Sequence, residues 1–179
     1  ETVSPDGYEI ATDITFTLDA DGNVVVRGRV VDGNALLIED ALTAVKVSKV
    51  ATGAGTELAG ATIQVFDEKG KKVDEWVSMA DDVTTPNVNE GVHVVEGIKG
   101  GAYYTLTETV APDGYAIATS TRFFLNVDGT IDKSKTTTRV SDDGTLLVED
   151  DLATLTVSKK AVGGGEELAG AQLAVYDKN

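Results

Sequence analysis

The sequence predicts an all-β fold, a β-sandwich repeated in tandem, and three observations carry that expectation. Short segments rich in Val, Ile, Thr, Tyr and Phe alternate with turn residues along most of the chain. No segment sustains a helical period. The sequence also matches itself: Glu1-Thr-Val-Ser-Pro-Asp-Gly-Tyr8 returns as Glu108-Thr-Val-Ala-Pro-Asp-Gly-Tyr115, and Leu36-Leu-Ile-Glu-Asp40 as Leu146-Leu-Val-Glu-Asp150.

Within one repeat, strands are expected near residues 44–50, 61–67, 72–79, 92–97, 102–110, 119–127 and 145–151. Glu68-Lys-Gly-Lys71, Asp113-Gly114 and Asp128-Gly129 read as turns, because Gly tolerates positive φ and Asp bonds its own backbone. Short strands punctuated in this way are the pattern of a sandwich.

The self-match sets the repeat boundaries. Val47-Ser-Lys49 returns as Val157-Ser-Lys159, and Glu57-Leu-Ala-Gly-Ala61 as Glu167-Leu-Ala-Gly-Ala171. One complete repeat is expected at 43–152, the C-terminal part of a preceding one at 1–42, and the N-terminal part of a following one at 153–179. The partial copies together lack counterparts of residues 70–107, so the chain reads as a window cut from a longer array. The join, Ala41 to Ala44, is short and holds neither Gly nor Pro, which limits how freely neighbours swing.

Composition removes several function classes. The 179 residues carry a formal charge of −15 and a pI near 4.3. That surface repels phosphate backbones and anionic lipids, which disfavours nucleic-acid and membrane-surface roles. No run reaches the ~20 apolar residues of a membrane span. Cysteine is absent, so disulfides, thiol catalysis and thiolate metal sites are out. The lone histidine, His93, reads as a strand residue, and Trp76 as core, with an exposed ligand-binding aromatic as its alternative. No metal or cofactor is expected. There is no Ser/His/Asp arrangement and no phosphate loop, so a hydrolytic enzyme is disfavoured.

Strand parity singles out three charged residues. Side chains of equal parity share a face, so Lys49 continues the row Val45, Val47; Asp150 continues Leu146, Val148; and Glu108 continues Tyr104, Leu106. The same parity holds for Leu36, Ile38, Asp40 and for Leu155, Val157, Lys159. Ordinary readings stay open: strand-end charges snorkel to solvent, guard an edge, or form a plain buried ion pair. Recurrence at matching places in both copies weighs against the first.

Glu57-Leu-Ala-Gly-Ala-Thr62, Glu75-Trp-Val-Ser78, Tyr104-Thr-Leu-Thr-Glu108, Ala111-Pro-Asp-Gly-Tyr115 and, in the first partial copy, Gly7-Tyr-Glu-Ile-Ala-Thr-Asp-Ile-Thr-Phe-Thr17 carry a resemblance. The chain resembles the collagen-adhesin B-type (CnaB, or SpaA-like pilin) domains of Gram-positive surface proteins. Among them it is similar to the streptococcal fibronectin-binding-protein domain behind the SpyTag/SpyCatcher pair. The resemblance implies an Ig-like, prealbumin-like sandwich on an extracellular, cell-wall-anchored surface. It places the family's reactive lysine on Lys49, its catalytic acid on Glu108 and its reactive carboxyl on Asp150, with Glu1, Asp40 and Lys159 as equivalents in the partial copies. Asp151, beside Asp150, is a departure, since a register slip of one residue would exchange their roles.

The chemistry needs these residue types. Lysine and a carboxylic acid condense only as neutral amine and protonated acid, the wrong states for both in water at pH 7. Burial shifts both in the required directions, and a second carboxyl raises the acid's pKa and relays protons. Folding holds amine and carbonyl in contact. The expected outcome is one autocatalytic isopeptide bond, in the central repeat, without turnover. Asp40 and Lys159 then belong to bonds whose partners lie outside the window.

The favoured function is a structural stalk or pilin-like spacer whose partners are neighbouring repeats. The alternatives are an adhesive module that binds a host extracellular-matrix protein through loops such as Ala80–Gly91, and an engineered self-polymerising unit. The absence of loop aromatics counts against the first, and the missing counterparts of residues 70–107 against the second. Asp19-Ala-Asp-Gly-Asn23 imitates the start of an EF-hand loop, but Val30 stands where a bidentate acid is needed, so a hairpin turn is expected. Asp81-Asp82 and Asp142-Asp143 read as solvated loop acids.

Overall fold

A computed structural model of the chain describes residues 1–25, 31–32, 35–80 and 91–176. Short two-residue strands pair first: β1 (Thr17–Leu18) with β2 (Val24–Val25), and β3 (Val31–Asp32) with β4 (Ala35–Leu36). The sandwich is built from β5 (Ala44–Ala51), β6 (Thr62–Asp67), β7 (Lys72–Val77), β8 (Val92–Glu96), β9 (Ala102–Val110), β10 (Thr121–Leu125), β11 (Arg139–Val140) and β12 (Leu146–Asp150). These form two four-stranded sheets, ordered β10-β9-β6-β7 and β11-β12-β5-β8. All pairings are antiparallel except β12 with β5, the last strand against the first.

Alternation puts one face of each sheet inside. Val45, Val47, Leu146, Val148 and Val95 from one sheet meet Ile63, Val65, Tyr104, Leu106, Phe123 and Leu125 from the other, all buried. Tyr104 and Phe123 stack with ring centroids 5.4 Å apart. Burial of the Tyr104 ring pushes its phenol up to about 12, while its hydroxyl donates to the Lys99 carbonyl at 2.9 Å.

The expected strands form, mostly one or two residues shorter than drawn. The strand expected over 72–79 stops at Val77 because Ser78 turns inward: its hydroxyl accepts from the Ala61 N–H at 3.0 Å and donates to the Leu58 carbonyl at 2.7 Å. Ser48, which parity sets on the face opposite Val45, Val47 and Lys49, is buried as well, as is Val50. Ser48 donates to Glu57 Oε1 at 2.5 Å and Val50 bridges to Glu57, so the loop after β5 folds back over its outer face. The two-residue β11 is too short to leave a sequence pattern.

Residues 153–176 hold no named strand; Lys160 bridges Glu167, and Leu155 and Val157 are exposed. Their counterparts in the central repeat, Val45 and Val47, lie between β8 and β12 in one sheet and are buried in the core it shares with the facing sheet. Ile38 of the first partial copy is exposed as well. The apolar rows of both partial copies were expected to face inward; without covering strands they do not. Among the described residues no helix is long and apolar enough to cross a membrane.

Leu125 is fully buried and Val162 fully exposed. Leu125→Ala is expected to lower stability by about 2–5 kcal/mol, and Val162→Ala to change it by less than about 0.5 kcal/mol. Urea denaturation of the two variants measures both.

Candidate functional site

Lys49 lies near the end of β5, and the parallel register aligns it with Val148 of β12, Asp150 lying opposite Ala51. Lys49 and Asp150 therefore stand one diagonal step apart on the same inward face. Glu108 reaches them from β9 in the facing sheet, where the pairing of β6 with β9 slips between Thr62 and Ile63. That irregularity leaves Thr109 as an extra residue beside Glu108, a bulge of the kind that bends a strand and re-aims its side chains.

All three side chains are sealed from solvent. Lys49 Nζ is in direct contact with Asp150 Oδ1, lies 3.4 Å from Glu108 Oε1 and donates to the Val148 carbonyl at 3.3 Å. Glu108 Oε2 accepts from the Ala118 N–H at 2.6 Å. Neither Glu108 Oε1 nor Asp150 Oδ2 has a hydrogen-bonding partner among the described residues. Burial is the main cause that raises the Glu108 pKa, and the Asp150 carboxylate pushes the same way; the Ala118 N–H and the Lys49 charge oppose them without prevailing. One amine thus faces two carboxyls in a dry pocket, and burial favours the protonated form of Glu108.

The structure brings Lys49, Glu108 and Asp150 together and turns Asp151 out to solvent. The partial-copy equivalents do not meet: Glu1 and Lys159 are exposed, Asp40 is half-buried, and no ion pair joins either acid to Lys159. Local geometry is still copied, since Glu1 Oε2 accepts from the Ala11 N–H at 2.7 Å as Glu108 does from Ala118. The Ala118 amide, the Val148 carbonyl and the bulge at Thr109 escaped sequence reasoning. The first two are backbone groups, and the third is a pairing irregularity, so no side-chain signal announces them.

The other candidates fall to ordinary roles. Asp19 accepts from the N–H groups of Asp21 and Asn23 at 2.9 and 2.8 Å, closing the β1–β2 hairpin; Val30 lies outside the described residues. Trp76 packs against the core and stacks on His93 at 4.0 Å, and His93 Nε2 meets Asp74 Oδ2 at 2.8 Å. Asp143 is engaged by Ser141 and Thr145. Asp81-Asp82 and nearly all of the Ala80–Gly91 loop lie outside the described residues.

Two packed sheets closed by a first-to-last parallel strand pair define a prealbumin-like sandwich domain. The chain belongs to the SpaA family, prealbumin-like fold domain, which matches residues 43–143. That span holds Lys49 and Glu108 and stops short of Asp150. The C-terminal fragment of the pilus adhesin SpaC from Lactobacillus rhamnosus GG is similar at 18% identity, over 87% of this chain and 76% of that one, with a TM-score of 0.46. The shaft pilin SpaA of the same organism is similar at 16% identity, over 87% and 62%, with a TM-score of 0.43. The Bacillus anthracis TIE protein is similar at 19% identity with a TM-score of 0.43, over 73% of this chain but only 24% of its own length. No curated protein matches the chain.

Because folding raises the Glu108 pKa above its ordinary 4.5, the folded state binds that proton more tightly. The stabilisation is complete below pH 4.5 and is lost as pH rises through the folded value. In a Lys49→Met background, which removes an opposing charge and any chance of a crosslink, stability should fall from pH 4.5 towards neutrality. Adding Glu108→Gln should flatten that fall. Urea midpoints of the two variants across pH 4–8 make the comparison.

Proposed function

We propose that this chain is a segment of an extracellular stalk, from a Gram-positive pilin or surface adhesin, whose central repeat locks itself with an isopeptide bond between Lys49 and Asp150. One observation carries the reading: a lysine amine in contact with one buried carboxyl and 3.4 Å from a second, between the first and last strands of a SpaA-family domain. The family supports the structural role. The neighbouring repeats are the natural partners, and the surface of the cell is the natural place.

The reaction balances within the pocket. The ammonium proton of Lys49 passes to the Asp150 carboxylate, leaving a neutral amine beside a carboxylic acid. Nζ attacks Asp150 Cγ, and the carbonyl oxygen takes up negative charge while Glu108 donates a proton towards it. The proton on the other oxygen then passes, through Glu108, to the departing hydroxyl, so that the C–OH bond breaks, the C=O re-forms and one water leaves. Glu108 recovers its proton from the nitrogen, so ammonium plus carboxylate becomes amide plus water with no net proton change. Lys49 and Asp150 are consumed, so there is no turnover. Confinement replaces a bimolecular encounter and supplies most of the advantage.

The crosslink closes a loop of about 100 residues, worth ~4.7 kcal/mol on the chain-entropy account. Intact mass spectrometry tests the proposal. The wild-type chain should weigh one water less than its sequence mass, and a peptide linking Lys49 to Asp150 should survive proteolysis. Lys49→Ala and Glu108→Ala should each show full mass. A wild-type chain at full sequence mass sinks the idea.

A further inference from the structure

We infer that successive repeats are joined by a built socket, in which the Pro-Asp-Gly-Tyr turn of one repeat seats against the open end of the next, so that the array is a braced rod rather than a string of hinged beads. The significance of this joint rests on the stalk reading, although its geometry does not.

The joint occurs twice in the chain. At the first, the Gly7 carbonyl accepts from the Thr43 N–H at 3.0 Å, Tyr8 bridges to Leu42, and the Glu9 N–H donates to the Ala41 carbonyl at 2.8 Å. At the second, the Gly114 carbonyl accepts from the Ala153 N–H at 2.9 Å, Tyr115 bridges to Leu152, and the Ala116 N–H donates to the Asp151 carbonyl at 3.0 Å. The same three links, made by aligned residues, stitch the turn to the connector each time. Backbone donors and acceptors make most of them, so the connector cannot swivel without breaking them.

At the first junction, where the following repeat has its full set of strands, the turn goes further. Thr43, the first residue of that repeat, is tied to its own Gly97–Ile98 turn, its fully buried hydroxyl donating to the Ile98 carbonyl at 2.6 Å and its carbonyl accepting from the Gly97 N–H at 2.9 Å. The same hydroxyl lies 3.3 Å from the Gly7 carbonyl of the incoming turn. The Ile10 N–H donates to the Val127 carbonyl at 3.0 Å. Asp6 pairs with Lys99 at 3.0 Å, but both are exposed, so this contact orients more than it stabilises. The socket is therefore the Gly97–Lys99 turn after β8 together with the chain that leaves β10 at Val127.

Steric fit is the independent sign that the contact is shaped. Gly7 has φ +89°, and a Cβ there would lie 2.6 Å from the Gly97 carbonyl oxygen. Two backbones approach closer than any side chain allows, in a conformation that L residues rarely adopt. The turn at Pro112–Tyr115 carries the same residue types, with Gly114 at φ +84° and nothing against it. It holds the connector through Gly114 and Ala116 but has no socket against its outer side, and the partner it fits there is the Gly97–Lys99 end of another copy of this repeat.

The test uses the isotopically labelled whole chain. Amides of Ile10 and Thr43 should exchange at least about tenfold more slowly than unstructured amides, and residues 7–10 should share one alignment tensor with the central repeat in residual dipolar couplings. Gly7→Ala should abolish both while leaving core amides such as Val47 and Leu125 protected. Unprotected Ile10 and Thr43 in the wild type, or protection that survives Gly7→Ala, overturns the joint. The intact mass of the same sample reports the Lys49–Asp150 bond separately, so failure of one reading leaves the other standing.

Discussion

The parallel pairing of β12 with β5 is the constraint on which the rest depends. It places the end of the domain beside its beginning and sets Asp150 one diagonal step from Lys49 on the inner face. A slip of one residue would expose Asp150 and bury Asp151. Leu146 and Val148, buried on the same face, hold the register against that slip. The apolar pattern of a short strand thus decides which of two adjacent acids meets the lysine.

Stability alone is a poor reason for such a cluster. Desolvating an amine and two carboxyls costs several kcal/mol per ion, and apolar residues of similar volume often serve a fold as well or better. Here the cost is compounded, because the pocket holds one cation against two acids and leaves carboxyl oxygens without donors. Protonation of Glu108 relieves part of it by removing one charge, and burial drives that protonation. The arrangement that is unfavourable as an ion pair is the one condensation requires, and an amide in place of the pair would remove both charges at once.

Much of this was legible in the residues because both β alternation and tandem repetition leave plain marks. Parity alone put Lys49, Glu108 and Asp150 on inner faces, and the structure sets the three in one pocket. Reading failed where the outcome depended on what covers a face. Ser48 is buried by a loop that folds back through Glu57, and Leu155 and Val157 are exposed where no facing sheet packs on them. Alternation tells which residues share a side, not whether that side is covered. The Ala118 amide and the inter-repeat stitches are backbone groups, invisible to residue type, although the repeated Pro-Asp-Gly-Tyr marked the turn that makes them.

Force gives the two features a common logic. On the proposed stalk reading, tension along an array would enter this domain at Thr43 and leave after Asp150, and so would act on β5 and β12 from opposite ends of a parallel pair. Such a pair resists in shear, with its hydrogen bonds loaded together rather than peeled one by one. Were Lys49 bonded to Asp150, the path would run along β5, across the amide and out through Asp151, and the roughly 100 residues between them would lie off it. The Pro112–Tyr115 turn belongs to that sheltered stretch, yet it grips the connector at Asp151 and Ala153 immediately beyond the crosslink. The bond would fix the length of each repeat under load, and the turn would fix its direction. A spacer that must hold a tip away from a surface needs both.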